Sequence, residues 1–332
     1  MKKALYTHAS AKAQRGVALI LVLGLMAIIT ILATTITGTV QFSANQHVTL
    51  KDMRQAYWFA RGGEVYALST LADLKEKSLL EATDTQVTFP VSGDGHTGMV
   101  SYQLTPLHTC LNINSLDITF ENPDARSLLN KNVWTYFLEN KAQISGATIT
   151  QLLQRAADWI DPDTQPKTPY GAESLFYSGQ TPPQQPPNST MLASAELGAL
   201  DVLNEDEQQA ILPFLCIRPD DNTLAINPND LTADDAYLLS VLTQGLLDEN
   251  QALSVIESRP DDGYAELAAF WADPALSEVD DSVEASFTLA RHYFKLDTQV
   301  VLGTAPFRLI SLLRIDEDDT THVISRRYGV TP

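Results

Sequence analysis

Hydrophobic and polar positions divide the chain into distinct regimes. VALILVLGLMAIITILATTI (17–36) is an apolar run of about twenty residues, and no Lys, Arg, Asp or Glu occurs from 17 to 50. As a helix rising 1.5 Å per residue, such a run spans about 30 Å, the thickness of a bilayer's hydrocarbon core. From Met53 the pattern turns amphipathic, with Ala56, Phe59, Ala60, Val65, Leu68, Leu71 and Leu74 recurring near a helical period. One helix over 17–82 is predicted, membrane-spanning over 17–36 and burying one face beyond, with Gly62-Gly63 as a soft spot. QVTFPV (86–91) and MVSYQL (99–104) alternate around a Gly-Asp-Gly turn and predict a β-hairpin. Three more alternating runs close the chain, at 284–303, 305–316 and 321–330. Between the two sets of strands the sequence is rich in Ala, Leu and Asp and reads as helical. The expected fold class is α+β: a long N-terminal helix, an antiparallel sheet drawn from 83–114 and 284–332, and a large all-helical insertion over 115–283. The insertion divides into two units, roughly 115–222 and 223–283.

Charge is distributed unevenly over the 332 residues. Residues 1–16 carry Lys2, Lys3, Lys12 and Arg15 and no acid, whereas the whole chain has a net charge of -19. The acidic excess therefore lies in the body after the apolar run, which repels nucleic acid phosphate and has no basic stripe to bind it. Nucleic acid is excluded as a partner. The two cysteines, Cys110 and Cys216, both follow the apolar run. If the body is exported, they are an even pair in an oxidising compartment and one disulfide is expected; two buried thiols are the alternative.

A cleavable secretory signal has an apolar region of about 7–15 residues followed by a small-x-small site. Here the run is longer and continues as TTITGTVQFSANQHV without a clean site, so a retained helix with its basic end inside is expected. A short basic leader ending in Gly16, followed at once by a long apolar helix and an amphipathic half, resembles the type IV prepilins and pseudopilins. The resemblance implies cleavage by a prepilin peptidase between Gly16 and Val17, with N-methylation of Val17. It also implies a pilin-like fold. Most of that family has Glu as the fifth mature residue, but the fifth residue here is Leu21. A carboxylate in lipid is costly unless paired, and a subunit leading a fibre has no neighbour ahead to pair it.

That exception resembles the K-type minor pseudopilins of type II secretion. LNINSLD (111–117), LLQRAADWIDPD (152–163), GAESLFY (171–177), MLASAELGAL (191–200) and LAINPNDLTADDAYLLSVL (224–242) follow the order of that family. A hydrophobic-Asn-x-Asn step occurs at Asn112 and Asn114 and again at Asn227 and Asn229, placed to cap the helices that follow. The family implies a place at the tip of the type II pseudopilus, initiating or capping the fibre. Its partners would be I- and J-type minor pseudopilins, the major pseudopilin fibre and the prepilin peptidase. The subunit would be held by a single pass in the inner membrane with its C-terminal body in the periplasm. A minor pilin of a type IV pilus or competence system would share the N-terminus but not the insertion. A membrane-anchored periplasmic binding protein or enzyme would keep residues 1–16.

DWIDPDTQPKTPYGAESLFY (158–177) is the stretch richest in chemistry. Asp161, Asp163 and Glu173 are the candidate ligands of a calcium ion, with Asp158 set aside because it falls on the preceding helix. The spacing is not that of an EF-hand, since no Gly stands at the sixth position; calcium binding among K-type relatives supports the assignment. Solvated turns account for the acidic runs at 218–221, 259–263 and 316–320. The six histidines show no HExxH spacing, and no GxSxG, Walker A or GxGxxG motif is present, so no enzyme activity is expected. Glu64 is read as a polar contact on the amphipathic half-helix.

Overall fold

The computed structural model describes residues 15–76, 86–93, 96–303 and 305–329. The start of the leader and the expected helix end at 77–82 lie outside the described residues. Helix α1 runs from Arg15 to Glu76, 62 residues, or about 93 Å. Every side chain from Val17 to Lys51 is exposed. Beyond that point one face packs on a five-stranded antiparallel sheet.

Strands β1 (Gln86–Gly93) and β2 (His96–Pro106) form the predicted hairpin. A pair of two-residue strands follows, β3 (Leu111–Asn112) and β4 (Leu215–Cys216), parallel to each other. Strands β5 (Tyr293–Leu302), β6 (Ala305–Ile315) and β7 (Thr321–Tyr328) complete the main sheet in the order β1-β2-β5-β6-β7. The central pairing of β2 with β5 runs from Gly98↔Leu302 to Pro106↔Phe294. A Cβ on Gly98 would lie 2.1 Å from the carbonyl oxygen of Val301, so only glycine lets the two strands approach there.

Small residues bring α1 down onto the sheet. Ala56, Ala60, Ala67 and Leu71 are buried, together with Gly63, whose added Cβ would already touch Thr298 at 3.6 Å. This face is rotated from the one the apolar pattern predicts: Val65 is 61 % exposed, and Glu64 takes the buried position instead. The reason lies across the sheet. Glu64, 1 % exposed, accepts hydrogen bonds from Ser311 Oγ at 2.6 Å, Arg326 Nε at 2.8 Å and Arg61 Nη1 at 2.6 Å. Three donors compensate the burial of one carboxylate. Glu64→Ala should therefore destabilise the folded body by about 2–3 kcal/mol, the half-solvated arginines moderating the loss. The melting temperature of the detergent-solubilised chain is the check, and an unchanged value would contradict this reading.

The register orients the body relative to the apolar half of α1. Ala56 and Ala60 pack on Val100, Val300 and Leu309, whereas Ala67 and Leu71 pack on Leu104, Phe294 and Leu296. Pro106 and Tyr293, where the chain leaves and re-enters the sheet, thus lie at the end farther from the apolar half of α1. The insertion emerges from that end.

The insertion, expected to be all-helical over 115–283, instead contains the strand β4, and long irregular segments such as 179–195 and 217–232 join its helices. Helix α2 (Ala125–Asn140) is capped by Asp124, and α3 (Gly146–Ile160) by Ser145. Further helices cover Glu205–Ile211, Ala236–Leu242 and Glu249–Glu257. A single apolar core runs from Leu111 to Phe287 through both predicted units. Phe214 joins the units, with its ring 5.8 Å from Phe137 and 4.6 Å from Tyr237.

The two Asn-x-Asn steps do more than cap. Asn112 Oδ1 accepts from Asn114 N at 3.3 Å, and Asn227 Oδ1 accepts from Asn229 N at 2.9 Å. The second asparagine of each pair then clamps a distant segment by both backbone groups. Asn114 donates to Met191 O at 3.1 Å and accepts from Met191 N at 2.7 Å. Asn229 donates to Tyr264 O at 2.9 Å and accepts from Tyr264 N at 2.7 Å. An amide carries both a donor and an acceptor on one plane, which is why asparagine fits this task and aspartate does not.

Candidate functional site

Asp161, Asp163 and Glu173, the candidate ligands, come together: one carboxylate oxygen from each lies within 4.8 Å of the others. Asp161 is the C-cap residue of α3, Asp163 follows on the loop, and Glu173 precedes the short helix α4 (Ser174–Ser178). The loop between them is tied back to α3. Gln154 accepts from Tyr170 N at 2.8 Å and donates to Thr168 O at 2.8 Å. Asp158 is fully buried and accepts from Lys167 N at 3.1 Å and Ala172 N at 2.7 Å. A Cβ on Gly171 would sit 2.2 Å from Asp158 Oδ2, so glycine is required for the chain to wrap this closely.

Asp158 is thus the organiser of the loop, its oxygens turned to backbone amides rather than to the cluster. Glu173 has the opposite situation. It is only 8 % exposed, yet neither of its carboxylate oxygens has a hydrogen-bond partner, and Asp161 Oδ1 has none either. Burial, reinforced by Asp158, Asp161 and Asp163, pushes the Glu173 carboxyl up to about 7. Buried oxygens without a donor are an unmet cost unless a cation arrives. The donor set is hard oxygen on an irregular loop and fits calcium better than a thiolate- or imidazole-seeking metal. The sequence reading missed one group. The Lys167 ammonium is already among the carboxylates, in contact with Asp161, 3.5 Å from Asp158 and 3.7 Å from Asp163. Its signal is a basic residue within an otherwise acidic DPDTQPKTPYGAE loop.

Cys110 and Cys216 are joined by a disulfide, with Cα atoms 5.7 Å apart, binding the segment between β2 and β3 to β4. Next to it Arg218, wholly buried, donates to the carbonyls of Leu107, Thr223, Leu224 and Ala225 at 2.6–3.0 Å, with Nε 2.9 Å from Asp221. His108 completes this junction. Its Nδ1 lies 2.7 Å from Ala225 O and its Nε2 accepts from His292 N at 3.2 Å. Burial and the adjacent Arg218 push its pKa down to about 3, so the ring is neutral with the proton on Nδ1. Nδ1 then has no free lone pair, and its 3.0 Å approach to Arg218 is a contact between two donors.

At the N-terminal end, Gly16 and Val17 lie in the first turn of α1. Val17 and Leu21 are exposed, like the rest of the apolar half. The described residues contain one helix long and apolar enough to cross a membrane, and it is this one.

A long helix with a free apolar half, and a second half packed on one face of an antiparallel sheet, defines a pilin-type subunit; here the subunit carries a large inserted body. Two family models described as type II secretion system (T2SS), protein K match the chain, over residues 109–220 and 226–290. The type II secretion system protein K of Klebsiella pneumoniae is 30 % identical over 324 residues, covering 96 % of this chain and 97 % of its own length. That of Aeromonas hydrophila is 27 % identical over 331 residues, covering 96 % and 98 %. The chain belongs to the type II secretion system protein K family. Its fold is shared with a chain of the GspK–GspI–GspJ complex from the enterotoxigenic Escherichia coli type 2 secretion system. The TM-score is 0.71 and the identity 19 %, over 86 % of this chain and all of the other.

Proposed function

We propose that the chain is the minor pseudopilin that leads the type II pseudopilus, starting or capping the fibre from its tip. It acts by assembly and not by catalysis. A prepilin peptidase cuts between Gly16 and Val17 and methylates Val17, and the apolar half of α1 stores the subunit in the inner membrane with the body in the periplasm. The body then docks on I- and J-type minor pseudopilins, the assembly named for the solved relative. One observation carries this reading: the insertion leaves the sheet at Pro106 and Tyr293, at the end away from the apolar half-helix. Bulk there obstructs addition of a further subunit above, while the free half-helix below remains available to sister helices. Leu21 agrees with a leading position, where a buried carboxylate would lack its partner. The intact mass of protein from native membranes containing the peptidase tests the processing step. A mass of Val17–Pro332 plus one methyl group is expected, and a mass retaining residues 1–16 would overturn it.

Calcium bound by Asp161, Asp163 and Glu173 would fix the α3–α4 loop of the body, supplying charge that the three carboxylates lack. Metal binding must remove the proton from Glu173, whose carboxyl is pushed up to about 7 without metal. Calcium affinity should therefore fall as pH drops below that value, by roughly tenfold per pH unit. Calorimetric titration with calcium at pH 6 and pH 8 measures it, and equal affinities would contradict the assignment of Glu173 as a ligand.

A further inference from the structure

Resting on the calcium reading above, we propose that Lys167 is the built-in counter-cation of this site. Its ammonium would hold the carboxylates together without metal and compete directly with calcium for them. The main chain of Lys167 is fixed independently of its side chain. Its N–H is held by both oxygens of Asp158 at 3.1 Å, and its carbonyl accepts from Gly171 N at 2.6 Å. The flexible side chain nonetheless carries its charge back into the cluster, in contact with Asp161 and 3.7 Å from Asp163. A lysine stem has enough rotatable bonds to leave without disturbing that backbone, and the side chain is 20 % exposed, so an exit to solvent exists.

The charge balance explains why one ammonium is not a sufficient partner. Asp158, Asp161, Asp163 and Glu173 surround one lysine, and the Glu173 oxygens remain without a donor. A divalent ion can reach all three ligands where the ammonium serves chiefly Asp161. For the ion to enter, the like charge of Lys167 must move away. Lys167 therefore sets the calcium concentration at which the loop passes from its ammonium-held form to its metal-held form.

The test is calorimetric titration of the detergent-solubilised full chain with calcium chloride, for the wild type, Lys167→Met and the surface control Lys131→Met. Melting curves in chelator accompany it. Removing the competing charge should tighten calcium binding of Lys167→Met by about tenfold or more. The melting temperature in chelator should fall, because Asp161 loses its cation. Lys131→Met should change neither. Calcium binding by Lys167→Met alone, with none by the wild type, would support the proposal in its strongest form. Equal wild-type and Lys167→Met affinities would overturn it while leaving the calcium site standing. An equal gain in Lys131→Met would reduce the effect to net charge and overturn it too. Loss of binding in a folded Lys167→Met chain would make the lysine a structural support of the site, contrary to the proposal. Failure of every chain to bind calcium would end the calcium reading itself, and this inference with it.

Discussion

Arg218→Met is expected to prevent the body from reaching its native state, or to leave it so weakened that it melts near physiological temperature. The side chain is wholly buried and gathers four backbone carbonyls, those of Leu107, Thr223, Leu224 and Ala225. Methionine fills a similar volume but donates no hydrogen bond, so these carbonyls and Asp221 lose their partner together. A buried polar group left without a partner costs about 1–3 kcal/mol. Several at once bring the loss to about 5 kcal/mol or more, comparable with the whole stability of an ordinary domain. The place matters as much as the size. Leu107 is the first residue after β2, and Thr223–Ala225 is the connection between the two halves of the insertion, so Arg218 ties body to sheet. Limited proteolysis and the melting temperature are the measurements. Cleavage between Arg218 and Asn227 is expected to appear in the variant. A variant as resistant and as stable as the wild type would contradict this role.

The second large effect belongs to the disulfide. Cys110 and Cys216 are separated by 106 residues, and the bond closes more than half of the insertion into a loop. For a loop of about a hundred residues, restriction of the unfolded chain contributes about 4–5 kcal/mol. A Cys110→Ser, Cys216→Ser chain should therefore show a markedly lower denaturant midpoint, and reductant should lower the wild-type midpoint but not the variant's. The two effects overlap. Both Arg218 and the disulfide hold the segment 107–110 against 215–218, so combining the replacements should cost less than the sum of the separate losses. An unchanged midpoint on reduction would contradict the contribution assigned to the bond.

What the sequence discloses and what it conceals follow from the range of the interactions involved. The uncharged run, the hairpin at 86–104 and the closing strands are local patterns, legible because periodicity alone decides them. The carboxylate cluster was legible for the same reason: Asp161, Asp163 and Glu173 share one short loop. The buried face of α1 was not. Its choice of Glu64 over Val65 is made by Ser311 and Arg326, 247 and 262 residues away. The asparagine steps were visible as a repeat, but their partners Met191 and Tyr264 lie 77 and 35 residues off, and no local rule points to them. Lys167 lies within the very stretch that holds the cluster, yet its position in the sequence does not assign it to the site. Spacing states which charges are neighbours, and only the wrapped loop states which way each one faces.

The most direct test of the account concerns where the subunit stands in the fibre. Pseudopili sheared from cells carrying an epitope-tagged chain can be labelled with gold-conjugated antibody and viewed by electron microscopy. A leading subunit with a body that obstructs further addition predicts label at one end of each fibre and none along the shaft. Gold distributed along the shaft would mean that the insertion does not cap the fibre, and would contradict the tip position.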